Sequence, residues 1–341
     1  MNDDYGKFEE LKRADRLDTF EAAAERLGTN AQSIEKDYWV CQTIDAMFKG
    51  LGARPKLYFK GGTSLSKGYG LIKRFSEDID IVISRAGLGI KSEDDPLREG
   101  LSRNKIKEAA AKAKEKCSSH VLDRMQKKLS ELMPTCEFEE DDSDNDKCSL
   151  KVKYPSLMDA DGYLKPWVKI ECGARGAIEP EVQKRIEPYI QTELGKKFDL
   201  TVEKVTLISA GRTFWEKALI LHGIYCGFRD KGRRPGEKNL ISRHYYDVAM
   251  MCDSAEGRKA VKNLALLTKC RNHKLALFRN SWEKLEEAEP GKFHLVPQKE
   301  ILKDLTDDYA AMTGMMFGDA PEFDWIIEQL EKLEKTINKA K

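Results

Sequence analysis

A chain of 341 residues with 34% charged side chains and a net charge of only +1 can bury a sizeable core but is no general polyanion binder, so any nucleic acid would have to meet a local basic surface. No apolar run approaches the roughly 20 residues that cross a bilayer, and the opening MNDDYGKFEELKRADR is too charged for a signal peptide, which predicts a soluble, cytoplasmic protein without membrane partners. Eight cysteines scattered from Cys41 to Cys270 without a CxxC pair read as reduced, mostly buried thiols, and the five histidines supply no zinc spacing.

From Asn30 to Lys49, the residues Ile34, Tyr38, Cys41, Ile44 and Phe48 recur at spacings of three and four, which predicts an amphipathic helix packed on a sheet. The run Glu35-Lys36-Asp37 is expected on its solvated side. Next, Leu57-Tyr58-Phe59 leads into Gly61-Gly62, a helical segment covers Ser64 to Ile72, and Asp78 to Ile83 alternates: strand, turn, helix, strand. Residues two apart on a strand share a face, so Asp78 and Asp80 present their carboxylates together while Ile79 and Ile81 face the core. Paired hard oxygen donors suit Mg²⁺, or Mn²⁺, which completes its shell with water and substrate phosphates. The glycine pair lets a phosphate chain approach the backbone, and Lys67, Lys73 and Arg74 lie between turn and strand to neutralise it. Alone, Gly-Gly is a turn and Asp-x-Asp a solvated surface; in this order they describe a nucleotide site.

Downstream, the Ala-, Lys- and Glu-rich stretch from Asp95 to Leu132 predicts one long helix or two. Strands are expected near Thr135 to Phe138 and from Cys148 to Tyr154, with the acidic run Glu139 to Asp146 as a solvated hairpin tip, since it lacks the glycine and terminal glutamate of a calcium loop. In the strand Pro166 to Cys172, Glu171 shares a face with Trp167 and Lys169; it is either a third metal carboxylate or an edge glutamate in water. A polar connector with Pro180 and Pro188 runs from Gly173 to Leu200, a short strand covers Thr201 to Ile208, and the rest reads helical.

Among those helices, Gly211 to Cys226 carries the stripe Phe214, Ala218, Leu221 and Tyr225, with Lys217 at its edge, either snorkelling or functional. In Ile241 to Met251, Arg243 and Asp247 stand four apart on one face as an ion pair, and His244 reads as a hydrogen-bonded packing residue. Between these helices the loop holding Arg229, Lys231, Arg233, Arg234 and Lys238 either touches RNA backbone or is merely solvated. Met312, Met315, Met316 and Phe317 are expected in the core, and Phe323 to Lys339 closes the helical part.

Gly61-Gly62 followed by Asp78-Ile79-Asp80 resembles the Gly-[Gly/Ser] and Asp-x-[Asp/Glu] pattern of polymerase β type nucleotidyltransferases. The fuller text KGGTSLSK and RFSEDIDI resembles the AbiEii/AbiGii nucleotidyltransferase toxins of bacterial toxin-antitoxin and phage-defence systems. The gap from Gly62 to Asp78, slightly longer than the general pattern, fits the narrower family. EKDYWV, FWEKALILH, SRHYYD and the DY, M, FG, P order of the tail are similar as well, so the resemblance extends over nearly the whole chain.

The resemblance implies an α+β fold: a polymerase β-like core with a mixed sheet over residues 1–200, then a helical domain over 201–341 that closes one wall of the cleft. It implies that Asp78, Asp80 and Glu171 hold the metal, that Lys217 meets the nucleotide phosphates, and that Asp247 belongs to the active site with Arg243 and His244 beside it. Gly61, Gly62, Ser64 and Lys67, with Arg74, Ser76 and Arg243, would bind the nucleotide. The implied reaction moves a nucleoside monophosphate from an NTP to an acceptor hydroxyl, with RNA, the 3′ end of tRNA, as acceptor and an antitoxin encoded nearby as partner. Two alternatives stay open: an antibiotic-modifying nucleotidyltransferase, and a catalytically silent RNA- or partner-binding protein of the same fold.

Overall fold

In the computed structural model, which describes residues 1–158, 165–236 and 240–340, a seven-stranded mixed sheet organises the first of two units. That unit comprises Met1–Tyr69 and Phe75–Ile208; the second comprises Gly70–Arg74 and Ser209–Lys341. The sheet unit runs α1 (Asp3–Glu9), α2 (Arg13–Leu27), α3 (Ala31–Asp45), β1 (Leu57–Lys60), α4 (Gly61–Lys67), β2 (Ile79–Ile83), α5 (Arg103–His120), α6 (Gln126–Leu132), β3 (Glu137–Glu140), β4 (Ser149–Lys153), β5 (Trp167–Gly173), β6 (Glu181–Ile186), α7 (Gln191–Leu194) and β7 (Val202–Ile208). The strand order is β3-β4-β5-β2-β1-β7-β6; β2 pairs with β5, and β1 with β7, in parallel, and the other neighbours are antiparallel.

Strand alternation sets the layers. Leu57 and Phe59 of β1, Ile79, Ile81 and Ile83 of β2, and Val168 and Ile170 of β5 join one core with Tyr5, Phe8, Phe20 and Tyr38 of the first three helices. Tyr58, Val82 and Ile208 form a small cluster on the other face. All eight cysteines are free thiols, six of them buried.

Three expectations need correction. Glu35, Lys36 and Asp37 are not a solvated face: all three are buried, because each carboxylate or ammonium has a partner inside the unit. Asp141 in the expected solvated hairpin tip is buried too, with Lys151 at 2.8 Å and Lys169 at 3.1 Å. The connector from Gly173 to Leu200 holds β6 and α7, and the strand after it, β7, pairs with β1 and β6 in the sheet. The text EVQKRI hides a strand because β6 lies at the sheet edge, with only Ile186 fully buried and so little apolar alternation to read.

α5 and α6 are joined without a break by a π-helical turn, Val121–Met125. The cause is a strict period of four: Ala113, Cys117, Val121, Met125 and Leu129 all sit in the core. At about 100° per residue, four α-helical residues overshoot a full turn by about 40°, so such a row drifts off the core unless a wider turn takes up one extra residue.

The second unit contains α8 (Ala210–Lys231), α9 (Ser242–Cys252), α10 (Ala255–Lys262), α11 (Leu264–Leu277), α12 (Lys299–Met312) and α13 (Phe323–Lys339). Gly70–Arg74 is fastened to it: the Phe317 N–H donates to the Lys73 carbonyl at 3.0 Å, and the Lys73 N–H donates to the Tyr246 hydroxyl at 3.1 Å. Met312 and Met316 are buried, as are Ile326, Leu330, Leu333 and Ile337 along α13.

The π-turn account predicts that deleting the exposed Asp123 restores plain α-helical spacing with the core face kept, so unfolding stays cooperative with a stability change of about 1 kcal/mol. Deleting Glu115 instead, within α5, should rotate the apolar row by about 100° and cost several times more. Urea unfolding of the two variants checks this; equal losses would refute the account.

Candidate active site

Asp80 sits mid-sheet, with Lys60 of β1 and Glu171 of β5 as its register partners, so Lys60, Asp80 and Glu171 form a cross-strand row on the face away from the main core. Asp78, two residues upstream, faces the same way. The turn from β1 into α4 presses against this row. Gly61 has φ +80°, and a Cβ placed there would lie 1.8 Å from Asp80 Oδ2, so both its backbone and its lack of a side chain are required. Thr63, fully buried, ties α4 to the carboxylate segment: its hydroxyl donates to the Asp78 carbonyl at 2.5 Å and lies 3.0 Å from Ser76 Oγ.

The electrostatics of the row are those of crowded like charges. Burial, and then Glu77, Glu171 and Asp80, push the Asp78 carboxyl up to about 6, against the pull of Lys169. Two cations stand beside the row: buried Lys36 of α3 pairs with Glu77 and lies 5.4 Å from the Trp167 ring centre, and the half-buried Lys169 Nζ lies 2.6 Å from Glu171 Oε1. Among the described residues no three His, Cys, Asp or Glu side chains converge as a ready metal cage, since Glu171 is turned onto Lys169. The donor chemistry nonetheless fits a hard divalent cation. Asp78 and Asp80 give adjacent oxygen ligands whose mutual repulsion a cation would relieve, leaving the shell open for water and phosphate oxygens.

Other expected nucleotide contacts are placed differently. The Ser64 hydroxyl donates back to the Gly61 carbonyl at 2.9 Å and is buried, so it closes the turn. The Lys67 ammonium is buried 2.8 Å from Asp37 and 3.4 Å from the Tyr189 ring centre, and Asp37 also accepts the Tyr189 N–H at 2.7 Å. Lys67 thereby locks α4 onto α3 within the fold. Thr63, Lys36 and Asp37 carry supporting roles that residue-type reasoning passes over, although the last two lie in the EKDYWV text and Thr63 in KGGTSLSK.

In the helical unit Asp247 of α9, fully buried, is the centre of a second cluster. Arg74 holds it in a fork, Nε to Oδ1 and Nη2 to Oδ2 both at 2.8 Å, and Lys217 of α8 reaches Oδ2 at 2.8 Å. Burial works to raise the Asp247 carboxyl, but Arg74 and Lys217 outweigh it and hold it well below the usual carboxylate range. Burial also lowers the Lys217 pKa, against the pull of Asp247. The expected Arg243–Asp247 pair is absent because Arg74 and Lys217 occupy the carboxylate; Arg243 makes no ion pair among the described residues. His244 departs from the expected hydrogen-bonded role, since among the described residues its buried Nδ1 has no hydrogen-bond partner, and burial followed by Lys217 and Arg243 keeps the ring neutral. Of the expected basic loop, Arg229 and Lys231 instead lie in the last turn of α8; Arg229 pairs with Asp230 and Glu287, Arg234 pairs with Asp304, and Arg233 stacks over Trp282, while Lys238 lies outside the described residues.

Residues 46–329 match the family model described as "Nucleotidyl transferase AbiEii toxin, Type IV TA system". The chain belongs to this family. No curated protein matches the chain. Among solved structures it is similar to MenT4, a nucleotidyltransferase toxin from Mycobacterium tuberculosis H37Rv, with a TM-score of 0.50 and 14% identity over 97% of this chain and 91% of that one. This likeness extends to the fold, and the α+β class expected from the sequence holds. The AbiEii membership makes the protein a nucleotidyltransferase toxin of a type IV toxin-antitoxin family, acting on an NTP and partnered by an antitoxin. Among the described residues no helix is long and apolar enough to cross a membrane.

Two outcomes follow from the charge arrangement. Asp247→Asn leaves Arg74 and Lys217 buried without their carboxylate and should cost roughly 3–5 kcal/mol in denaturant unfolding. Asp78→Asn removes a repelled charge, so in chelator at pH 7 it should raise the thermal midpoint, while added Mg²⁺ should stabilise the parent protein more than the variant. A variant that melts below the parent in chelator would contradict the crowding.

Proposed function

We propose that this AbiEii-family protein transfers a nucleoside monophosphate from an NTP to the 3′-terminal hydroxyl of an RNA, with tRNA as the acceptor class: the acceptor oxygen bonds to the α-phosphorus, the α–β phosphoanhydride breaks and pyrophosphate leaves, and Asp78, Asp80 and Glu171 hold the Mg²⁺ it uses. The observation that carries the reading is the cross-strand row itself: Asp80 flanked by Lys60 and Glu171, against a Gly61 that leaves no room for a side chain. When bound, the divalent cation would supply the charge that stabilises the attacking and leaving oxygens of an in-line displacement.

The chain's own residues divide the remaining work. Gly61 and Gly62 let the triphosphate run close to the backbone, and Lys60 offers a cation in register with Asp80. Thr63 and Ser76 fix the backbone that presents Asp78, so the carboxylates are aimed before substrate arrives. Lys217 meets phosphate. Its carboxylate partner Asp247 is shared with Arg74, so the triad of one anion and two cations keeps a net positive charge for an anionic ligand. Arg243, near this triad, is a further phosphate contact. Free thiols and the absence of any membrane-crossing helix among the described residues are compatible with action in the cytoplasm beside RNA.

Incubation with each labelled NTP and total bacterial RNA tests the proposal. Label should enter RNA in the tRNA size range, and Asp80→Asn or a chelator should abolish it. The variant's stability should stay within about 1 kcal/mol of the parent, because the side chain contributes charge rather than packing. Expression should arrest growth, and Asp80→Asn should relieve the arrest. Label entering only a small molecule, with RNA untouched, would overturn the acceptor assignment.

A further inference from the structure

A second feature of the sheet unit lies away from the carboxylates: an open cleft of ≈ 770 Å³ walled on one side by the α5–α6 segment. Lys112, Lys116, His120, Arg124 and Lys128 all line it, one every four residues. Each directly precedes one of the buried residues Ala113, Cys117, Val121, Met125 and Leu129. The π turn that keeps the apolar row on the core therefore keeps the basic row on the cleft, at about 6 Å of rise per step. Arg54, from the loop before β1, adds a sixth basic side chain.

The charge is concentrated here. Arg103 to Lys128 holds nine Lys and Arg against three Asp and Glu, in a chain whose net charge is +1. Glu115 and Asp123 also line the cleft but do not balance it. Arg54, Lys112 and Arg124 are exposed and make no ion pair among the described residues, and the Lys128–Glu131 pair is itself exposed. Lys116 donates to the Gly89 carbonyl at 2.8 Å, which fixes its place in the wall. Burial, then Arg124, lowers the His120 pKa, so the ring offers a hydrogen bond rather than a charge. Leu57, paired with Ile83, lines the cleft at the opposite end of the β1–β2 ladder from Lys60 and Asp80, about 10 Å along the strand.

Four cations on one helix face with a neutral imidazole between them, remote from the reacting carboxylates, suit an extended polyanion and not a mononucleotide. We propose that this cleft binds the phosphodiester backbone of the acceptor RNA at a point distant from the hydroxyl that receives the nucleotide. The proposal rests on the RNA reading above and adds where the body of that RNA is held.

The test measures binding of a fluorescent bulk tRNA fraction to the full chain carrying Asp80→Asn, over a range of salt. Adding Lys112→Gln, Arg124→Gln and Lys128→Gln together should weaken binding at least about tenfold and make the slope of log affinity against log salt shallower by about 2 to 3. Lys112→Arg with Lys128→Arg should bind like the parent. Arg54→Gln alone, outside the helix, should weaken binding several-fold, so the outcome does not hang on the triple variant's fold. Unchanged affinity and slope in both neutralised variants would overturn the proposal, as would a parent that binds polyglutamate and no tRNA. If tRNA binds through the cleft but the active protein labels no RNA, the acceptor reading falls and the cleft stands. If RNA is labelled and the neutralised variants bind like the parent, the cleft falls and the acceptor reading stands.

Discussion

Carboxylates crowded on one sheet face are the constraint around which the sheet unit is arranged. Asp78, Asp80, Glu171 and Glu77 repel one another, and that repulsion is tolerated only because Lys36 and Lys169 are anchored beside them and the backbone at Gly61 closes in. Repulsion of this kind is stored affinity: the fold bears a cost at the row that a divalent cation would remove on binding. The buried Lys36 and the parallel pairing of β2 with β5 are both parts of that arrangement.

Cations in this molecule fall into two populations that look the same in the text. Lys67 and Arg74 are consumed by the fold, each against a buried aspartate, Asp37 and Asp247. Lys112, Arg124 and Arg54 are exposed on a surface and have no such partners among the described residues. The difference lies in tertiary neighbours more than a hundred residues away in the case of Arg74 and Asp247, and no local spacing reports those.

What the sequence disclosed follows from the same distinction. Periodicity exposed β1, β2, β5 and most helices because each has one face on a core, and the strand period alone put Asp78 and Asp80 on one side. β6 escaped because an edge strand has little apolar alternation. The run Glu35-Lys36-Asp37 read as solvent-facing because charge is ordinarily a surface signal, and here three charges are buried with matching partners. Lys217 and Asp247 were singled out through family wording, but the fork on Asp247 from Arg74 in place of Arg243 joins residues 173 apart in the chain, which no local pattern reports.

The five residues Gly70–Arg74 belong with the helical unit although they interrupt the chain of the sheet unit, so the polypeptide passes between the units three times. The helical unit is thus not a C-terminal appendage that could be detached by cutting after Ile208. A fragment beginning at Ser209 would keep Asp247 and Lys217 but leave behind the guanidinium that shares the carboxylate, together with the backbone that meets Phe317 and Tyr246. Exchange of the helical unit for another would have to carry Gly70–Arg74 out of the chain of the sheet unit with it.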